Sequence, residues 1–279
     1  MNLKDMRLAL MSVIEPGDAK SAEGIARIGV ENFFALHPQA QKANCDDLYE
    51  SLQRTNSELI TPEDAEWPIG LNDLSVSPMG IIVKGNREAL SFSAVAIVGT
   101  RNPTPYGIRI AQDFAAGFVD RGYGITSGGA YGIDSQAHRG ALIAEGSTIA
   151  VIASGVDSPY PAGNKRLFDE IAESGAIVTE YLPGVPARPF RFLVRNRLIA
   201  ALTDATIVIE AAFRSGSLRT ARDAAEIFRH VFAIPGSIFT PTSDGCHRLI
   251  GERKAELVTS VSDAYELLQG LSKDAILGE

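Results

Sequence analysis

Four short runs of small residues recur along the sequence: Gly99–Thr100–Arg101, Ser127–Gly128–Gly129, Ser154–Gly155, and the segment from Ala211 to Ser217. Glycine lets a backbone approach a phosphate closely, and N–H groups at helix starts then hold the anion. Each run comes after an apolar stretch. Alone, each reads as a tight turn; together they read as a convergent anion site. Arg101 stands directly after the first turn, and Pro103 and Pro105 stiffen the adjoining backbone, so Arg101 is expected to contact phosphate. Lys165 and Arg166 come after Tyr160–Pro161–Ala162–Gly163–Asn164, at a helix start. A base there opposes the helix dipole, which favours a binding role. Phe168 is one turn further on. Its ring could stack on a nucleobase, worth roughly 1–3 kcal/mol per base, or belong to the core; spacing does not separate the two.

The segment Pro189–Phe190–Arg191–Phe192–Leu193–Val194–Arg195–Asn196–Arg197 interleaves arginines with aromatics. Arg191 and Arg195 are four apart and share a helix face. Asn196 can bridge loops through its amide. Glu180 and Glu210 are the acids with which an arginine of this stretch could pair internally, and at least one arginine is expected to be structural. Asp134 and His138 are also four apart. They could form an acid–base pair, but capping by Asp134 and bracing of a loop by His138 are favoured. No serine or cysteine has an evident base partner. The histidines are scattered, and Cys45 and Cys246 form no ligand spacing or disulfide framework, so no metal and no cofactor is expected.

These residues need elements to position them. Ala94–Val98, Tyr123–Thr126, Thr148–Ala153, Ala176–Glu180, Ala205–Glu210 and His230–Ile234 read as strands. Ala111, Phe114, Ala115 and Phe118 have helical spacing, as do Leu218, Ala221, Ala225 and Phe228. Ser135–Ala144, Asn164–Glu173 and Arg191–Leu202 also read as helices. Apolar strands alternating with helices predict an α/β fold with a parallel sheet covered on both faces. Gly99, Gly128 and Gly155 should then share one edge of a sheet of at least five strands. The organisation expected is a small helical domain over 1–60, a connection over 61–90 with Gly80–Lys84 extended, and the α/β domain over 91–279. A C-terminal helix, Asp263–Gln269, is expected on the sheet edge.

The net charge is −8, which argues against a generally basic nucleic-acid binder. The distribution is uneven. Residues 1–90 carry 8 basic and 14 acidic residues, and residues 91–279 carry 18 and 20. From Tyr181 to Thr203 there is no acid, while Arg188, Arg191, Arg195 and Arg197 are present. No apolar run approaches the ~18 residues of a membrane span, and the N-terminus lacks a signal-peptide core. A soluble, cytoplasmic protein without membrane contact is expected.

In order along the chain, Val95–Ala96–Ile97–Val98–Gly99–Thr100–Arg101, Gly132–Ile133–Asp134, Ala137–His138–Arg139–Gly140, Arg195–Asn196–Arg197, Ser215–Gly216–Ser217–Leu218 and Ile234–Pro235–Gly236–Ser237 resemble the DNA-processing protein A (DprA, or Smf) family. The resemblance runs from about Ala94 to Thr259. It implies an extended Rossmann-like fold, a homodimer, single-stranded DNA binding that protects incoming DNA, and loading of the RecA recombinase in natural transformation; no enzymatic activity is expected. The family's DNA pocket maps to Arg101, Ser127, Gly128, Lys165 and Phe168. Gly99, Thr100, Gly129, Arg195, Asn196 and Arg197 complete the expected DNA-binding set. Leu193 departs from the family pattern, where a proline is common. Two alternatives are a phosphoribohydrolase-like enzyme and a nucleotide-sensing module of the same fold group. The enzyme is the poorer reading, because Arg214–Thr220 lacks a glycine pair and has arginine and threonine where a catalytic glutamate would lie.

Overall fold

Along the strand Ala94–Gly99, Val95 and Ile97 pack into one hydrophobic core, and Ala96 and Val98 pack into another. Successive side chains on a strand point to opposite faces, so an unbroken apolar run demands cover on both sides. The computed structural model describes residues 1–276, with side chains described through residue 270. Residues 277–279 of the expected α/β domain lie outside the described residues.

The chain opens with α1 (Leu3–Met11), α2 (Ala19–Ala35), α3 (Pro38–Gln41) and α4 (Cys45–Arg54). Asn2 caps α1 by accepting the Asp5 N–H at 2.8 Å, and Asp18 caps α2 by accepting the Ser21 N–H at 2.9 Å. Ala9, Leu10, Val30, Phe33 and Ala40 form a small core among these helices, while Leu8 and Leu52 join the core of the sheet.

Next come β1 (Ser57–Ile60), β2 (Ile81–Gly85), β3 (Ala94–Gly99), α5 (Pro105–Val119), β4 (Gly124–Ser127), α6 (Ile133–Ile143), β5 (Thr148–Val151), α7 (Lys165–Ser174) and β6 (Ala176–Thr179). The remainder is α8 (Pro189–Ala201), β7 (Ala205–Ile209), α9 (Ser217–Glu226), β8 (His230–Ala233), α10 (Asp244–Gly251), β9 (Glu256–Leu257) and α11 (Val261–Ile276). The nine strands form one sheet in the order β1-β2-β6-β5-β4-β3-β7-β8-β9. The strands from β6 to β9 are mutually parallel, whereas β2 is antiparallel to β6 and β1 to β2. The expected strands and helices of residues 94–234 are all present. The sheet extends further than expected, because β1 and β2 add an antiparallel edge from the segments read as helical domain and connection.

One core lies between the sheet and α8 and α9, with Leu198, Ile199, Leu218 and Ala221 against Val98, Val151 and Val208. The opposite core holds Phe114 and Phe118 of α5, Ile133 of α6 and Phe232 of β8. Phe118 and Phe232 are fully buried, each burial stabilising by roughly 1.5–3 kcal/mol. Ala264 and Leu268 of α11 join this second core. Arg121 of the α5 terminus lies over Tyr265 at 5.6 Å, and Gln269 donates to the Tyr123 hydroxyl at 3.1 Å. The C-terminal helix therefore covers the face beside α5 rather than the sheet edge. No described helix is long and apolar enough to cross a membrane.

Candidate functional site

The sheet order reverses at β3. The chain runs from β3 to β4 on one side, while β7 lies on the other. A crevice opens outside the carboxyl ends of the strands at such a point. Here it is a cleft of about 670 Å³ between Gly99–Arg101, the α8 face bearing Phe192 and Asn196, and the loop before α9. Gly99 ends β3, Gly128 comes just after β4 and Gly155 after β5, all at the carboxyl end of parallel strands.

The turn after β3 is tied on two sides. The Thr100 N–H donates to the Glu210 carbonyl at 2.7 Å, and the Ile133 N–H donates to the Thr100 carbonyl at 3.1 Å. Gly132, at φ +82°, lies so close that a Cβ would stand 2.7 Å from the Arg101 Cα, so only glycine fits this approach. Arg101 is exposed, its guanidinium 5.5 Å from the centre of the Phe192 ring. Phe192 in turn meets Tyr160 edge-on at 5.5 Å. Tyr160 also lines a second groove, of about 480 Å³, that contains Lys84, Lys165 and Asp157. The two hollows thus meet at one half-exposed tyrosine.

The cleft is locally positive in a protein of net charge −8. Its lining includes Arg101, Arg195 and Arg214 and a single carboxylate, Asp134. Asp134 is buried and accepts the Ala130 N–H at 3.3 Å. Burial pushes its carboxyl up against the opposing charge of Arg195, and burial pulls Arg195 down to about 10. Arg195 remains a cation at neutral pH and donates to the Val151 carbonyl. A Cβ on Gly128 would lie 2.7 Å from Asp134 and would also collide with Arg195, so this glycine makes room for the buried pair. Glu210 faces away: it accepts the Thr104 N–H at 2.8 Å and the Thr104 hydroxyl at 2.5 Å at the start of α5.

The expected site residues divide into a surface set and a frame. Arg101 and Thr100 reach the cleft, and Lys165 reaches the second groove. Lys165 is exposed and pairs with Asp169 at 2.8 Å. Asn196 bridges as expected, its amide donating to the Gly216 carbonyl at 3.2 Å. Four expected site residues are tied into the frame, Arg195 while also lining the cleft. Phe168 is 1% exposed and packs against Gly129, which adopts φ +68°, so its ring is closed to a stacked base. Ser127 is buried and donates to the Ile97 carbonyl at 2.6 Å. Arg195 lies under Gly128. Arg197 is bound by both oxygens of Glu180 at 2.7 Å. Asp134 and His138 do not form an acid–base pair. Thr148 donates its hydroxyl to the Ile125 carbonyl at 2.8 Å, so it accepts from His138 Nδ1–H at 2.7 Å.

Sequence reasoning missed Tyr160, Phe192 and Arg214 as site residues. Tyr160 and Phe192 lie in segments it singled out, and the pairing of an aromatic with an arginine was the available signal. No group of His, Cys, Asp and Glu suited to a metal occurs among the described residues.

The sequence model of a family described as DNA recombination-mediator protein A matches residues 58–269. The DNA processing protein DprA of Streptococcus pneumoniae is 45% identical over 197 residues, covering 71% of this chain and 69% of that protein. The X-ray structure of DNA processing protein A from S. pneumoniae superposes with a TM-score of 0.83 at 34% identity, over 95% of this chain and 98% of the other. The structure of DNA processing protein A from Helicobacter pylori, solved for its single-stranded DNA binding mode, superposes with a TM-score of 0.69 at 31% identity. That match covers 79% of this chain and 98% of the other.

Proposed function

The chain belongs to the DNA recombination-mediator protein A family, and on that premise we propose that it binds single-stranded DNA in the crevice at β3 and β7. It delivers that DNA to the RecA recombinase in natural transformation, acting as a homodimer in the cytoplasm. Residues 91–279 are the DNA-binding domain.

The observation that carries this reading is the run Arg101–Phe192–Tyr160, a cation followed by two rings at 5.5 Å spacings along a positive cleft. Single-stranded nucleic acid is held by such combinations of basic groups for the backbone and rings for the bases. The set supports binding rather than bond cleavage. Asp134 is buried and accepts the Ala130 N–H, and the hydroxyls of Ser215 and Ser217 bond each other at 2.7 Å.

The test is fluorescence anisotropy with a labelled oligothymidine, a duplex of the same length and free nucleotides. Binding of the single strand, weakened by salt and not displaced by millimolar nucleotide, is expected. Preference for free nucleotide would support the sensing module instead. Sedimentation at micromolar concentration tests the dimer, and co-sedimentation with RecA on the oligonucleotide tests delivery.

A further inference from the structure

Helix α8 has two working faces. Phe192, Arg195, Asn196 and Ile199 line the cleft. Arg191, Val194 and Arg197 are directed to other partners. Arg191 is 7% exposed in its side chain and is gripped by Glu15, with Nε at 2.6 Å from one carboxylate oxygen and Nη2 at 2.8 Å from the other. It also donates to the Pro186 carbonyl at 2.6 Å and lies 4.7 Å over the Tyr181 ring. Glu15 belongs to the turn between α1 and α2, 176 residues away in sequence. Two residues on, Gly17 adopts φ +83° and sits so close to α8 that a Cβ would be 2.6 Å from Val194 Cγ1. The α1–α2 turn is thus seated on the back of the helix whose front forms a cleft wall. Residues 1–57 lie outside the stretch matched by the family.

We propose that the α1–α2 turn positions the DNA cleft, with Glu15 as the positioning residue acting through Arg191 on the placement of Phe192. The inference rests on the proposed use of the cleft for single-stranded DNA. Glu15 is not among the residues that line the cleft, and its side chain is bonded to Arg191, so its effect is carried by α8. A bidentate guanidinium–carboxylate pair fixes direction as well as distance, and the close seat at Gly17 and Val194 fixes the height of the helix over the sheet.

Electrostatics and positioning predict opposite signs for Glu15→Gln. Removing an acid near a phosphate site should tighten binding if charge alone mattered. Loss of positioning should weaken oligothymidine binding, by about 2- to 30-fold, with an unchanged salt slope because Glu15 releases no counterions. Glu15→Asp should recover part of the loss. The double change Glu15→Arg with Arg191→Glu should recover affinity relative to either single change. Val194→Ala carries no charge ambiguity and leaves the ion pair intact, and it should also weaken binding in a folded protein. In a Trp67→Phe background, a tryptophan introduced by Phe192→Trp reports the cleft wall without DNA, and its emission should shift on Glu15→Gln. Circular dichroism and thermal midpoints accompany each variant. Equal or tighter binding by folded Glu15→Gln or Val194→Ala, or an emission unmoved by Glu15→Gln, overturns the proposal. If the parent fails to bind oligothymidine, the DNA reading fails, and the emission test still decides whether the turn positions α8.

Discussion

The guanidinium of Arg101 stands over the ring of Phe192, 5.5 Å from its centre, with no ion pair to a carboxylate among the described residues. A cation held by a ring keeps its hydrogen-bond donors free for an incoming anion. Arg101→Ala should therefore weaken oligothymidine binding and lower the salt slope by about 0.7 for one lost phosphate contact. Thermal stability should be unchanged. Anisotropy titrations between 50 and 300 mM salt (about one decade of affinity or more for several contacts) read both quantities.

Lys165 differs from Arg101 because Asp169 already holds it at 2.8 Å. This pair is exposed, and such pairs contribute only about 0–1 kcal/mol. Asp169→Asn should tighten DNA binding by freeing the lysine, while Lys165→Ala should weaken it with a slope change of about 0.7. Isothermal titration of both variants gives the sign; weaker binding by folded Asp169→Asn would remove Lys165 from the DNA path.

Phe168 and Tyr160 should separate stability from binding. Phe168→Ala empties a fully packed position and should cost about 3–5 kcal/mol of stability. Tyr160 is 49% exposed, so Tyr160→Ala should leave the urea midpoint nearly unmoved and lower oligonucleotide affinity by about 1–3 kcal/mol if a base stacks there. Comparing urea denaturation with anisotropy for the two variants checks the division.

The elements were largely legible because their signals are local. Ala111, Phe114, Ala115 and Phe118 fall on one helix face and all are buried. The positions of the glycine turns came from the strand pattern. Site roles were less legible because they depend on contacts between distant segments. Spacing put Arg191 and Arg195 on one stripe of α8, but not that Glu15 would bind one and the space beneath Gly128 would enclose the other. Glu180 and Glu210 were equal candidates for an arginine in sequence. In the fold, Arg197 reaches Glu180, and Glu210 turns to Thr104. Phe168 was undecidable because its place one turn into the helix is the same for a core ring and an exposed one.

Arg197→Ala would leave Glu180 buried without its partner. Glu180 is 5% exposed and receives both of its close contacts from Arg197. Removing one member of a buried pair typically costs about 3–5 kcal/mol. The urea midpoint should fall accordingly, whereas replacing both residues with apolar ones of similar volume should restore much of it.

His138 makes folding sensitive to mild acid. Burial pulls its imidazole from 6.5 down to about 3. Its Nδ1–H is engaged by Thr148, and its buried Nε2 has no hydrogen-bond partner among the described residues that could accept from a protonated Nε2–H. The unfolded chain takes up that proton below pH 6.5 and the folded chain does not, so the stabilisation present above pH 6.5 is lost as pH falls toward 3. The slope is at most about 1.4 kcal/mol per pH unit. Asp134, pushed up by burial, acts in the opposite sense, so the comparison is made between parent and His138→Gln. Urea midpoints at pH 7.5, 6 and 5 should fall less in the variant; equal declines would contradict the assignment.

Of the four arginines between Tyr181 and Thr203, Arg191, Arg195 and Arg197 are occupied internally. The consequence is kinetic. A protein of net charge −8 exerts little long-range pull on a polyanion, because the positive sign of its cleft is local and screened beyond a Debye length. Encounter should then proceed at an unsteered rate, about 10⁵–10⁶ per molar per second, instead of the near diffusion-limited capture of strongly basic proteins. The lifetime of each complex, rather than the speed of its formation, would set how much strand is held at any moment.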